Sequence, residues 1–147
     1  SRHDLYLDNF SNVTDSNVNS VKRILSERLT GKPLAYVLGL WKSYDVDMII
    51  SPDVLIPRPE SEILIERGIE ICSSGVFGKY PVVVDLGTGC GSIAINLIRK
   101  VPTIQLFATD NSKRALEIAQ QNFQRFGLHE QITVLYGDLL EPIFVLP

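Results

Sequence analysis

The chain has 147 residues, 45% of them hydrophobic, and a formal net charge of −3 at pH 7. That is one domain-sized unit with enough apolar residues for a core. No run of Lys and Arg occurs, which argues against strong nonspecific nucleic-acid binding and against DNA as a direct partner, and no stretch is long and apolar enough to span a membrane.

Residues 1–40 lean helical. Ser1 to Asn19 is rich in Ser, Asn and Asp, and partial disorder is expected there. Val18, Val21, Ile24, Leu25 and Leu29 fall on one helical face, Asp15 or Ser16 is placed to cap its start, and Gly31 with Lys32-Pro33 ends it. Residues 41–59 form a connector with β character. Tyr44, Val46 and Met48 alternate with Asp45 and Asp47, the period of a half-buried strand. Ser51-Pro52-Asp53 is a turn signal, after which Val54-Leu55-Ile56 would return as the second strand of a β-hairpin. Pro57 and Pro59 stiffen the chain on either side of Arg58. Pro59, Glu60 and Glu62 suit the first turn of a helix. This stretch reads as structural rather than catalytic.

Residues 60–147 alternate helix and strand. A helix over 60–73 precedes Val82-Val83-Val84, read as a strand buried on both faces and ending at Asp85. A helix over 91–100 stops before Pro102. Gln105 to Asp110 is the next strand, and Asn111 to Phe126 the next helix, with Ala115, Leu116, Ala119, Phe123 and Phe126 on one side and Gly127 as its stop. Ile132 to Tyr136 is the third strand, running into Gly137-Asp138. Such alternation predicts an α/β fold with a parallel sheet and right-handed crossovers. Three strands then end in Asp85, Asp110 and Asp138 at one sheet edge, where ligands bind in open α/β folds.

The turn between the first of these strands and its helix is Asp85-Leu86-Gly87-Thr88-Gly89-Cys90-Gly91-Ser92. The helix start is expected to offer unpaired N–H groups and a positive dipole end. The glycines let backbone approach a ligand. A dinucleotide fingerprint needs Gly-x-Gly-x-x-Gly, but Ser92 stands at the third glycine position, and the extra glycine is Gly91. A phosphate loop is excluded because neither Gly-Lys pair is followed by Ser or Thr: Tyr80 follows Gly78-Lys79 and Pro33 follows Gly31-Lys32. Asp110, about 20 residues beyond the glycines, is where a ribose hydroxyl pair would be held, though it also suits a helix cap with Asn111 and Ser112. Asp138 would sit near an adenine ring, with Leu139 or Leu140 giving apolar contact. Cys72 and Cys90 make no disulfide framework and read as reduced thiols, hence a reducing compartment. His3 and His129 lie far apart without metal-ligand spacing, so no metal is expected.

Asp-x-Gly-x-Gly-x-Gly resembles the first motif of class I S-adenosylmethionine-dependent methyltransferases. Leu55-Ile56-Pro57-Arg58-Pro59-Glu60-Ser61-Glu62, the Asp85–Gly91 turn and Gly31-Lys32-Pro33-Leu34-Ala35-Tyr36-Val37-Leu38-Gly39 together resemble the PrmC/HemK family of release factor glutamine methyltransferases. The departures are Ser61 for the family's usual Thr, a loose match over Leu40-Trp41-Lys42-Ser43-Tyr44, and Leu139 where an aromatic residue is frequent. The resemblance covers roughly residues 20–140. It implies a partial N-terminal helical substrate-recognition region (1–40), a β-hairpin connector (41–59) and the first half of a Rossmann-like S-adenosylmethionine-binding domain (60–147). It implies N5-methylation of the glutamine in the Gly-Gly-Gln motif of a peptide-chain release factor, during translation termination in the cytoplasm or an organelle. Carried over by position, Asp85, Gly87, Thr88, Gly89, Cys90 and Gly91 form the cofactor loop, Asp110 binds the ribose, and Asp138 and Leu139 lie by the adenine.

The family's catalytic Asn-Pro-Pro-Tyr does not occur in residues 1–147. The chain therefore reads as an incomplete piece, with an incomplete sheet, that cannot methylate glutamine efficiently by itself. Three alternatives stand beside this reading: an adenine-N6 nucleic-acid methyltransferase, a nicotinamide-dependent Rossmann domain, and a noncatalytic cofactor-binding fragment.

Overall fold

The computed structural model describes residues 14–145. The chain divides into two compact units, Ser1–Leu38 and Gly39–Pro147. The disorder expected for Ser1 to Asn19 falls mostly outside the described residues; from Asp15 onward those residues are helical.

The first unit contains α1 (Asp15–Leu29) and α2 (Leu34–Leu38). Neither Asp15 nor Ser16 caps α1. The cap is Thr14, whose hydroxyl accepts the Asn17 N–H at 3.3 Å. Gly31 follows the helix at φ +88°, as a helix stop requires. The apolar face is where the spacing puts it, yet α1 has no buried residue.

The second unit begins with an antiparallel hairpin, β1 (Leu40–Ser43) and β2 (Val46–Ile49). Ser43 pairs with Val46, so Tyr44-Asp45 is a two-residue turn, with Tyr44 at φ +52°. This corrects the expected hairpin. Tyr44 is in the turn rather than the strand, and Val54-Leu55-Ile56 is not a strand. The alternation marks β2, but the turn lacks the Gly or Asn that usually betrays one, and the partner strand lies before it, at Leu40–Ser43, rather than after it. Lys100 holds the turn, with Nζ 2.5 Å from Asp45 Oδ2 and 5.7 Å from the centre of the Tyr44 ring.

After α3 (Glu60–Ser73) come β3 (Val82–Leu86), α4 (Ser92–Lys100), β4 (Gln105–Asp110), α5 (Lys113–Arg125), β5 (Ile132–Tyr136) and α6 (Glu141–Phe144), a short helix the sequence reading missed. The three strands are parallel in the order β3-β4-β5. The central strand β4 is the driest, with Leu106, Ala108 and Thr109 fully buried. The expectation that Val82–Val84 is buried on both faces fails: β3 is an edge among the described strands, Val82 is exposed, and Val83 and Val84 are half-buried. The core is closed by Ile95 and Ile98 of α4, Ala119 and Phe123 of α5, and Met48 of the hairpin, all buried. No described helix is long and apolar enough to cross a membrane.

Candidate functional site

Parallel order sets the three strand ends side by side. Asp85 is registered with Ala108, and Asp110 with Tyr136. The chain leaves β3 into the glycine turn, whose Gly87, Gly89 and Gly91 adopt φ of +67°, +55° and +83°. Side chains avoid that region. A Cβ on Gly87 would meet nothing within 4 Å, and one on Gly89 only a carbonyl oxygen at 3.9 Å. These two residues therefore present open backbone. Gly91 differs: a Cβ there would lie 2.5 Å from Phe123 Cε1. Its small size serves packing against α5, and it is also the N-cap of α4.

Two acids organise the turn. Asp85 is buried, 7% exposed. Its Oδ2 accepts the Thr88 hydroxyl at 2.7 Å, and the carboxyl also accepts the Ala94 N–H. Burial pushes its pKa up, the two hydrogen bonds pull it back, and the negative charge of Asp110 adds to the rise. The first turn of α4 is thus partly satisfied from within by an acid beneath the turn, rather than left with free N–H groups as the sequence suggested. A buried carboxyl at that helix start opposes a second anion and favours a cationic ligand.

Asp110 is half-buried and bridges two elements. Oδ2 accepts the Gly89 N–H at 3.0 Å and Oδ1 the Ser112 N–H at 2.9 Å. It supports the α5 cap, which is made by Ser112 Oγ accepting from the Ala115 N–H at 3.2 Å. An ionised carboxylate has about four acceptor positions, so two remain for hydroxyl donors. Both readings of Asp110, cap support and ligand acceptor, fit one side chain. Thr88 ties the turn to the neighbouring strand end through its N–H to Thr109 O, 2.9 Å.

The third strand end joins the same rim. The Gly137 N–H donates to Asp110 O at 3.1 Å, and the buried Thr109 hydroxyl donates to Leu139 O at 3.0 Å. Leu139 sits at φ +45° with its side chain exposed, a conformation that carries strain for a branched residue. Asp138 is exposed, and its carboxylate has no hydrogen-bond partner among the described residues. The Cys90 side chain is buried, and burial pushes its thiol up to about 11, which makes it a poor nucleophile at neutral pH.

A cleft of about 110 Å³ lies over the turn, between Leu55, Pro57 and Ser61 on one side and Gly87, Gly89 and Ile93 on the other. That is smaller than the several hundred Å³ of a typical small-molecule site, so a ligand here would lie largely open. A larger cavity of about 460 Å³ beside β5 is lined by Gln120, Phe123, Gln124, His129, Ile132 and Val134. It holds none of the strand-end acids. Among the described residues no group of His, Cys, Asp and Glu is placed to hold a metal ion.

Sequence reasoning missed Asn122, Ser43 and Ser92. Asn122 is fully buried and bonds the hairpin and the glycine turn at once. Ser43 Oγ and Ser92 Oγ lie 2.5 Å apart in the interior. The available signal was Asn122 itself, a polar residue three positions after Ala119 on the apolar stripe of α5.

The model of the family described as "Methyltransferase small domain" matches residues 73–144. A release factor glutamine methyltransferase of Gloeobacter violaceus is 41% identical over 111 residues, covering 76% of this chain and 38% of that protein. One of Chlorobaculum tepidum is 34% identical over 145 residues, covering 97% of this chain and 49% of that protein. The chain thus spans less than half the length of these curated relatives. The crystal structure of a precorrin-6y C5,15-methyltransferase from Geobacter metallireducens has the same fold, with a TM-score of 0.53 and 17% identity, covering 68% of this chain and 49% of that one.

Proposed function

We propose that the chain belongs to the PrmC/HemK family of release factor glutamine methyltransferases, for which its relatives are named, and that it forms the cofactor half of an enzyme that methylates the Gly-Gly-Gln glutamine of a peptide-chain release factor. The observation that carries the cofactor reading is the Gly87–Gly91 turn: open backbone at Gly87 and Gly89, clamped by Asp110, above a buried Asp85. Its donor set suits S-adenosylmethionine better than a dinucleotide. Two carboxyls favour a ligand bearing ammonium and sulfonium charges, and Asp85 already takes the Ala94 N–H a pyrophosphate would need. Gly87, Thr88, Gly89, Cys90 and Gly91 supply the loop, Asp110 the ribose acceptors, and Asp138 with Leu139 the adenine side.

When bound, S-adenosylmethionine supplies an electrophilic methyl group. This chain's residues hold and orient it; Leu55 and Pro57 shield one side of the cleft. An amide nitrogen is a poor nucleophile because its lone pair is delocalised, so the reaction depends on alignment. No residue of 1–147 is assigned to that alignment, since Asn-Pro-Pro-Tyr does not occur among them, and residues 1–147 alone are expected to transfer methyl groups poorly. The release factor as substrate rests on what the relatives are named. A cytoplasmic or organellar setting goes with that substrate.

The test is transfer of a labelled methyl group by the full-length protein to a release factor, compared with a factor whose Gly-Gly-Gln glutamine is replaced. Label on the intact factor alone is expected. Label on adenine of a DNA duplex would favour the adenine-N6 alternative, and label on neither would overturn the substrate assignment.

A further inference from the structure

Asn122 does more than fill the core. Its Oδ1 accepts the Ile49 N–H at 2.8 Å, while Nδ2 donates to Ile49 O at 3.0 Å and to Cys90 O at 2.9 Å. Both amide hydrogens and the carbonyl oxygen are engaged. Toward Ile49, the last residue of β2, the amide behaves as a neighbouring strand would; with its second hydrogen it reaches the glycine turn. A buried amide costs stability unless satisfied, and Asn is a middling helix former. Packing alone would be served as well by Leu at this point of α5. Leu would, however, leave the Ile49 N–H, Ile49 O and Cys90 O without these partners.

The next residue acts on the same turn. Phe123 packs against Gly91 so closely that no Cβ fits between them. A second polar link ties the other strand of the hairpin: Ser43 Oγ meets Ser92 Oγ at 2.5 Å, and Asn96 Nδ2 reaches Ser92 O at 2.9 Å and Ser43 O at 3.5 Å. Each strand of the hairpin is therefore bonded to a residue next to Gly91, β2 to Cys90 through Asn122 and β1 directly to Ser92. Beyond β2 the chain is held by the Ile50 N–H to Gly39 O, 3.0 Å, and runs on to Leu55 and Pro57, one wall of the cleft.

We propose that Asn122 is a positioning residue for the cofactor turn: its amide locks the hairpin to the Gly87–Gly91 turn, so that the loop and the cleft wall keep one geometry. The lock is a property of the free chain. Its effect on S-adenosylmethionine rests on the functional reading above, and the two are tested separately.

Amide hydrogen exchange on the ligand-free protein tests the lock. Asn122→Leu keeps the volume and removes the hydrogen bonds; Leu116→Ala, a buried change on the same helix, controls for lost stability. Asn122→Leu should speed exchange at Ile49, Thr88 and Gly91 about tenfold beyond the change at Leu106 in the sheet centre. Leu116→Ala should show no such excess. Equal, uniform acceleration in both variants would overturn the proposal.

Titration with S-adenosylhomocysteine supplies a readout that a merely structural role would not move. Asn122→Asp keeps the acceptor for Ile49 but turns a carboxylate toward two carbonyl oxygens. At pH 8 it should bind about tenfold more weakly than wild type. At pH 5.5 it should recover much of that loss, because a buried carboxyl facing carbonyls favours its protonated, donating form. Taking the ratio to wild type at each pH cancels the pH effects common to both proteins, the titration of Asp85 among them. Equal affinity of variant and wild type at both pH values would overturn the positioning role. Failure of folded wild type to bind would overturn the functional reading instead, and the exchange experiment alone would then decide the lock.

Discussion

Helix α5 buries Ala115, Leu116, Ala119, Asn122 and Phe123 within 13 residues, while α1, at 15 residues, buries none. Both sequences carry apolar residues at helical spacing. In α5 the stripe meets the hairpin, β4, β5 and the glycine turn, and even its polar member is fully bonded. In α1 none of the corresponding residues is buried: Leu25 is 56% exposed and Leu29 89%. Thr14 at the start and Glu27, paired with Arg23 and Lys32, support that helix, and exposed ion pairs contribute little. Periodicity thus reports which face a helix would bury. It does not report whether the described chain covers that face.

The contrast is sharpest where α5 meets the turn. Gly91→Ala adds a Cβ at φ +83° against Phe123 and should cost about 3 kcal/mol in urea unfolding, combining backbone strain with overpacking. Gly127→Ala is its control: φ is +68° but nothing lies within 4 Å, so strain alone, about 1 kcal/mol, is expected. Equal costs would mean that Phe123 yields and the turn is less tightly set than its packing implies.

A pH experiment separates the buried acid from the exposed ones. Burial holds Asp85 above its ordinary value of 3.8, so the folded state binds that proton more tightly than the unfolded state. Its contribution to stability therefore falls as pH rises from about 4 through the raised value. Asp45 is the opposite case: the Lys100 ammonium lowers its pKa, and that contribution is lost as pH falls. Asp85→Asn removes only the first, so wild type should lose stability relative to this variant as pH is raised from 4 to 7. A constant difference across that range would contradict the assignment.

The smallest effect is expected on α1. Leu25→Ser should change the unfolding free energy by no more than about 0.5 kcal/mol, as for an exposed site away from special features. A loss above about 1.5 kcal/mol would break the comparison, since it would mean that the apolar face of α1 is covered in solution.

The α/β alternation, the three strand ends and the turn at Asp85–Gly91 were legible because each is written locally: apolar runs, glycines at a fixed spacing, and acids at strand ends. The hairpin register was not, because Tyr44-Asp45 turns without Gly or Asn and the partner strand Leu40–Ser43 shows no alternation. Asn122, Ser43 and Ser92 were also hidden. Their partners stand 49 and 73 residues away in sequence, and long-range polar pairs leave no periodic trace. The exposure of Val82 depends on which strands flank β3, which local pattern does not encode.

The central claim is that the strand-end acids and the glycine turn form a working cofactor half-site, and calorimetric titration with S-adenosylhomocysteine of wild type and Asp110→Ala, each shown to be folded by circular dichroism, tests it most directly. The account predicts binding by wild type and at least a tenfold loss in the variant, since Asp110 both holds Gly89 in place and offers acceptors to the ribose. Folded wild type that binds nothing, or a variant that binds as tightly as wild type, would contradict it.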